Sequence, residues 1–369
     1  MSPDWLAQCY ERPDELQPNS DIGGIGVLIG FMGTSGLVIL FVIVHYIFAF
    51  NPSKDPFTGE ETTSAFENHE RKWTPNSIDE TITMTLLSRL RDWLESRTKQ
   101  RLRDVLTKAI LTLCDVQLST GLGILLSGYI NLFHNAILAY HWKLLVYLVW
   151  ISNLTHVCCL TILRGYLSQH RWERIWRVVL MFVLWGGLLS AFVPTLFLDW
   201  KKNDPLRLGA TNTRCFFNPN VAEEIIRWRI CKLHENGPES NMTAKQCVKY
   251  KSAYGESPAH EMEMTIPRGN LILLFQMTLY FALKIHLDSL LSDFVDILFL
   301  IVSATWGTVR LLNHRSSIKV DEDGWGFGQI LAVFLLIGPV IAMITPLLEI
   351  VRPNKTRDFD RDWYDGDWG

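Results

Sequence analysis

Seven stretches of this chain are nearly free of charge and long enough to cross a lipid bilayer as helices. They lie at 22–50, 109–132, 142–163, 178–198, 269–287, 293–313 and 327–350. A hydrocarbon core of about 30 Å takes roughly 20 helical residues. Within it, backbone N–H and C=O groups find no water, so such runs fold as helices. The expected fold is therefore an all-α, multi-pass membrane helix bundle of about seven transmembrane helices. Mean hydropathy is +0.13 although 20% of residues are charged, because the charges gather in the connections. The net charge of −3, with no basic domain, argues against a nucleic-acid partner. Walker, zinc, nucleophile-elbow and kinase motifs are absent, as are solenoid repeats.

The connections set the domain organisation. Residues 1–21 are polar and lack a basic start, so the first apolar run reads as a retained anchor and not as a cleaved signal. The connection 51–108 opens irregularly, with Pro52, Pro56, Gly59 and Pro75. Ser77-Ile78-Asp79-Glu80 then fits a capping box with Ser77 as N-cap. Ile82, Leu86, Leu87, Leu90, Trp93 and Leu94 follow at helical spacing, which predicts an amphipathic interfacial helix over 77–104. Residues 109–198 carry the second to fourth spans and 269–350 the fifth to seventh. The loop 199–268 is expected to form a disulfide-tied cap, and the tail 351–369 is acidic, aromatic and predicted to be disordered.

Basic residues cluster at 89–108, at 164–177 and after 351. Cytoplasmic loops are enriched in Lys and Arg, so these positions predict a lumenal or outside N-terminus and a cytoplasmic C-terminus. On that topology Cys9, Cys215, Cys231 and Cys247 face the oxidising side, enough for two disulfides in any of three connectivities. Cys114, Cys158 and Cys159 fall within the membrane. The sequon Asn241-Met242-Thr243 lies in the same outer loop and marks Asn241 for glycosylation.

Against this apolar background the polar residues stand out. Asp115 sits about six residues inside the second span, roughly 10 Å deep at 1.5 Å per residue. A carboxylate there costs roughly 2.5–3.5 kcal/mol on insertion scales. Ser119, Gly123 and Ser127 follow at intervals of four and predict a small face that turns Asp115 into the bundle. In the third span His156 reaches a similar depth, with Asn153 one turn deeper. Asp115 is the candidate acid, because burial favours a protonated carboxyl; if His156 pairs with it, the imidazolium becomes the donor instead, and either could be a buried structural group, so the two form one coupled acid site. Gln117, Asn153, Trp150, Trp185, Trp306, Tyr129 and His141 are further pocket candidates. An interfacial aromatic belt is the simpler reading of Tyr129 and His141.

The stretch Leu113-Cys114-Asp115-Val116-Gln117-Leu118-Ser119-Thr120-Gly121, with Ser127-Gly128-Tyr129 and Tyr140-His141-Trp142, resembles a group of fungal multi-pass membrane proteins. Within that group it is similar to the membrane-bound terpene cyclases of the ascofuranone and ascochlorin pathways. The resemblance is clearest over 109–164. It implies cyclisation of a prenylated, often epoxidised, aromatic substrate in the endoplasmic reticulum membrane, with no metal and no cofactor. It assigns no catalytic residues. Such chemistry needs a general acid, an apolar pocket that excludes water, and electron-rich faces that tolerate a carbocation. A seven-helix receptor and a transporter are the competing classes. Asp-Arg-Tyr and Asn-Pro-x-x-Tyr sequences are missing at the helix ends, and the breakers Gly186-Gly187, Pro194 and Gly338-Pro339 look like ordinary kinks.

Overall fold

The computed structural model describes residues 4–10, 16–52, 76–92, 96–197, 208–234, 292–317, 322 and 324–351. Helices make up most of these segments, with one isolated antiparallel bridge between Leu138 and Asn212. The helices are α1 (Asp4–Tyr10), α2 (Ser20–Gly23), α3 (Ile25–Phe48), α4 (Ser77–Thr81), α5 (Ser88–Asp92), α6 (Ser96–Phe133), α7 (Ala139–Ile162), α8 (Arg164–Gln169), α9 (Arg171–Phe192), α10 (Pro219–His234), α11 (Asp293–Ser317) and α12 (Phe327–Val351). Among the described residues, five apolar segments are long enough to cross a membrane: Ser20–Phe48, Gln100–Phe133, Ala139–Ile162, Arg171–Phe197 and Asp293–Ser316. Helix α12 runs over 25 residues, and its part Phe327–Ile341 is also apolar. The stretch expected over 269–287 lies outside the described residues, as do Asn241, Cys247 and the tail 352–369.

Helix α7 is the centre of the bundle, packed by α3, α6, α9 and α11. Its sequence is apolar on all sides, the pattern of a helix with no free face. Trp142, Leu144, Leu145, Leu148 and Ile151 are fully buried. Between apolar helices in lipid the hydrophobic effect offers little, so close packing and interhelical hydrogen bonds hold the bundle. Both occur here. Ser152 donates to the Gln117 carbonyl at 2.5 Å, Ser35 and Thr155 bond at 3.1 Å, and the Trp142 indole donates to the Ala191 carbonyl at 2.8 Å.

Glycines bring α3 and α12 together. A Cβ at Gly26 would lie 2.6 Å from Gln329 Cβ, and one at Gly30 would lie 2.9 Å from the Ala332 carbonyl oxygen. On α6 the packing face differs from the one expected. Ser119 and Ser127 are exposed, and a Cβ at Gly123 would meet nothing within 4 Å. The close approach to α7 runs instead through Gly121, against Ser152, and Gly128, against Leu145. Small residues at spacing four define a stripe, but the neighbouring helix decides which stripe packs.

The amphipathic stretch is broken rather than continuous. Helix α4 is followed by a π-helical turn, Ile82–Leu86, before α5, and α6 starts at Ser96. Its N-cap is Asn76, whose side chain accepts from the Ile78 N–H at 3.0 Å, and not Ser77. Asp79 does not serve its own helix. It is buried and accepts from Tyr46 Oη, Ser292 Oγ and the N–H groups of Asp293 and Phe294, at 2.7, 2.7, 3.0 and 3.1 Å. It thereby caps α11, where a carboxylate complements the unpaired N–H groups and the helix dipole.

At the other end, the turn between α6 and α7 holds Asn135 at φ 58°, a left-handed conformation that Asn tolerates better than most residues. Asn135 accepts from Asn212 Nδ2 at 2.6 Å and from Arg214 Nη1 at 2.9 Å. The segment around 212 is thus docked on the helix tip, and the Cys9–Cys215 disulfide ties α1 to it. Cys9, Ala139, Leu208, Phe216, Ala222 and Ile225 form a separate small core here. Cys114, Cys158 and Cys159 are buried and not joined in a disulfide. The side chain of Cys231, on α10, is outside the described residues.

Candidate functional site

The expensive carboxylate has a partner that sequence reading assigned to a loop. Arg177, near the start of α9, grips Asp115 in a two-pronged pair: Nε to Oδ1 at 2.8 Å and Nη2 to Oδ2 at 2.8 Å. Its third nitrogen, Nη1, reaches Glu173 Oε2 at 3.0 Å and the Glu173 carbonyl at 3.2 Å. The Trp176 ring lies 4.5 Å beneath the guanidinium. Bidentate Arg–carboxylate pairs are the strong, geometrically specific ion pairs. Arg177 is buried, while the Asp115 side chain is 29% exposed. The pair closes the α6–α9 interface at one end of the bundle.

His156 does not pair with Asp115. It is fully buried on α7, close enough for the Asp115 and Arg177 charges to act on it. Neither ring nitrogen meets a partner in good hydrogen-bond geometry, and the ring's nearest polar neighbours are the backbone groups of Cys114 and Arg177. Asn153, three residues earlier on the same helix face, is also fully buried, and its Oδ1 and Nδ2 are likewise unpartnered. Leaving one buried polar group unsatisfied costs about 1–3 kcal/mol. Four open atoms on adjacent turns therefore mark a place where the bundle is not optimised for its own stability. Gln117, two residues on from Asp115 and buried on another face of α6, is engaged, with Nε2 donating to the Phe31 carbonyl at 3.5 Å.

The other candidates spread out. Trp150 is buried, edge-on to Phe192 at 6.4 Å, and Trp185 is half-buried against Phe182. Trp306 is on the outward side of α11 beneath Arg310, away from the cluster. Tyr129 clamps α9, donating to the Gly187 carbonyl at 2.9 Å and bonding Ser190, and it meets Trp142 edge-to-face.

His141 belongs to a second cluster at the opposite end of α7. Its Nε2 meets Glu322 Oε1 at 2.7 Å, with both side chains buried, and the same oxygen accepts from the Asn19 N–H at 3.4 Å. His314 Nε2 bonds the Tyr140 carbonyl at 3.3 Å, and Gln329 accepts from the Gly26 N–H at 2.9 Å and donates to the Gly324 carbonyl at 2.6 Å. Here Tyr140 and His141 are buried joints between helices. Sequence reasoning missed Arg177, Glu173, Glu322 and His314. For Arg177 a signal existed: Glu173 precedes it by four, and a lone intramembrane acid calls for a cation. Glu322 sits in a short polar connection without any periodic cue.

No group of three or more His, Cys, Asp or Glu residues arranged for a metal ion occurs among the described residues. No protein-family model matches the chain, and no solved structure matches it. The chain is similar to the "Elsinochromes biosynthesis cluster protein HP3" of Elsinoe fawcettii, with 30% identity over 146 residues. Those residues are 40% of this chain and 47% of that protein, so the chain spans about half the length of the curated relative it matches. Among the described residues the molecule is thus all-helical, with five helices apolar and long enough for a membrane, and the chain bears a weak likeness to a fungal secondary-metabolite cluster protein.

Proposed function

We propose that the chain is an integral membrane terpene cyclase that folds a prenylated, epoxidised aromatic substrate and closes a ring by acid-initiated carbocation chemistry. The observation that carries this reading is His156: a fully buried imidazole without a well-formed hydrogen bond, beside a fixed ion pair and inside an apolar bundle. The likeness to a biosynthesis-cluster protein supports the setting of secondary metabolism.

The roles divide as follows. Both Asp115 oxygens accept from Arg177, so Asp115 orients and balances charge rather than donating a proton. His156, in its protonated form, gives a proton to the epoxide oxygen. The C–O bond to the more substituted carbon breaks, and the positive charge passes to that carbon. The nearest olefin attacks it and closes the ring. A proton is then lost to the neutral imidazole, so the product is an isomer of the substrate and no cofactor is consumed. The indole faces of Trp150 and Trp185 would lower the energy of the cation without trapping it. An apolar surround keeps water from quenching it.

In the cell this reading puts the bundle in the endoplasmic reticulum membrane, with the Cys9–Cys215 end in the lumen, where disulfides form. The test is expression in a heterologous host and feeding its microsomes with epoxyfarnesyl phenols. The expected result is a product of unchanged mass and new retention time. Unaltered substrate across such a panel rejects the cyclase.

A further inference from the structure

Asn153 has no task in the proton transfer just described, yet it is as isolated as His156. It is fully buried, and an amide offers one acceptor and two donors. In this bundle neither its oxygen nor its nitrogen is used. The neighbouring Ser152 and Thr155, on the same helix, are both satisfied, by the Gln117 and Ile151 carbonyls. The open atoms are therefore not a general feature of α7. A purely structural residue at this position would gain stability by becoming apolar.

We infer that Asn153 is a specificity-determining residue that binds the neutral hydroxyl end of a lipophilic ligand. The inference deepens the cyclase reading and rests on it for the ligand's apolar part. A hydroxyl both donates and accepts, so it answers Oδ1 and Nδ2 together. Charge decides against an anionic head. The cation beside this cluster is Arg177, and all three of its nitrogens are spent on Asp115 and Glu173. A phosphate or carboxylate placed next to Asn153 would find no free guanidinium to offset its desolvation. His156 lies about one turn away on the same face, so a ligand anchored at Asn153 runs past the imidazole.

The experiment measures binding without turnover. The full chain is placed in lipid nanodiscs and titrated with farnesylhydroquinone and with its dimethyl ether, which keeps the chain and ring but loses the hydroxyl donors. Wild type should bind the hydroquinone at least 10-fold more tightly than the ether. Asn153→Leu should bind both alike, with an unfolding temperature equal to or above that of wild type. If Asn153→Leu does not assemble, Asn153→Ala gives the same comparison. Equal binding by wild type, or discrimination retained in the variant, overturns the inference. Discrimination that depends on Asn153 in a protein with no cyclase activity keeps the site and discards the cyclase. Cyclisation with discrimination retained in the variant does the reverse.

Discussion

The two ends of α7 solve the same problem in opposite ways. His141 and His156 are 15 residues apart, roughly 22 Å along the axis at 1.5 Å per residue. Both are buried in a helix surrounded by apolar neighbours. At the His141 end the imidazole has Glu322, Glu322 has Asn19, and Gln329 has Gly26 and Gly324. That cluster is a joint: it ties α2, α7 and the approach to α12. At the other end the ion pair of Asp115, Arg177 and Glu173 is complete, but it encloses His156 and Asn153 with four polar atoms open. Satisfied polar groups build structure. Unsatisfied ones, held beside a fixed charge pair, are left for something else to bond. Burial alone would not have told the two histidines apart.

The contrast can be broken experimentally. Arg177→Met should have the largest effect, about 3 kcal/mol of stability, because it strands Asp115 and Glu173; the partial exposure of Asp115 keeps the cost at the low end for a broken buried pair. Thermal unfolding of purified protein reads this directly, and an unchanged midpoint would remove the pair from the fold. His141→Leu should cost about 2 kcal/mol by removing the closer donor to the buried Glu322 carboxylate, which keeps the longer bond from the Asn19 N–H. Turnover per folded molecule should stay as in wild type, and a loss of turnover at unchanged stability would erase the distinction between the ends.

Two smaller effects sharpen the view of the joint and of the outer cap. A Cβ at Gly23 would overlap the Glu322 carboxylate, so Gly23→Ala should cost about 1–2 kcal/mol. Combined with Glu322→Ala the costs should be less than additive, since the second change removes the obstacle. Simple additivity would mean the strain lies elsewhere. Tyr10, in the disulfide-tied cap, donates to Glu224 Oε2 at 2.9 Å. Burial first, and then that carboxylate, push its phenol from the ordinary 10 up to about 12. The unfolded chain therefore loses this proton first, and the associated stability, intact below pH 10, is lost as pH rises from 10 towards 12. Comparing wild type with Tyr10→Phe over that interval isolates the effect; identical slopes would show that the bond does not form.

Much of the helix content was legible in the sequence, because apolar runs of 20 residues leave the backbone few alternatives. Asp115 was legible as an anomaly for the same reason. Its partner was not. Arg177 reads as one of several arginines in a basic connection, and only the packing of α9 on α6 shows which one turns inward. The stripe of Ser119, Gly123 and Ser127 misled, since helical spacing defines a face but not its neighbour, and Gly121 and Gly128 took that role. Asp79 shows the same limit: its local pattern suggests a capping box, while its carboxylate serves a helix more than 200 residues away.

His156 carries the central claim, and His156→Leu tests it most directly, with turnover of an epoxyfarnesyl phenol and unfolding temperature measured on the same preparation. The expected outcome is kcat lower by about 100-fold or more, as for removal of a general acid, at an unfolding temperature equal to or above wild type. Turnover within about twofold of wild type in a folded protein would contradict it and leave His156 as one more buried side chain in the core of α7.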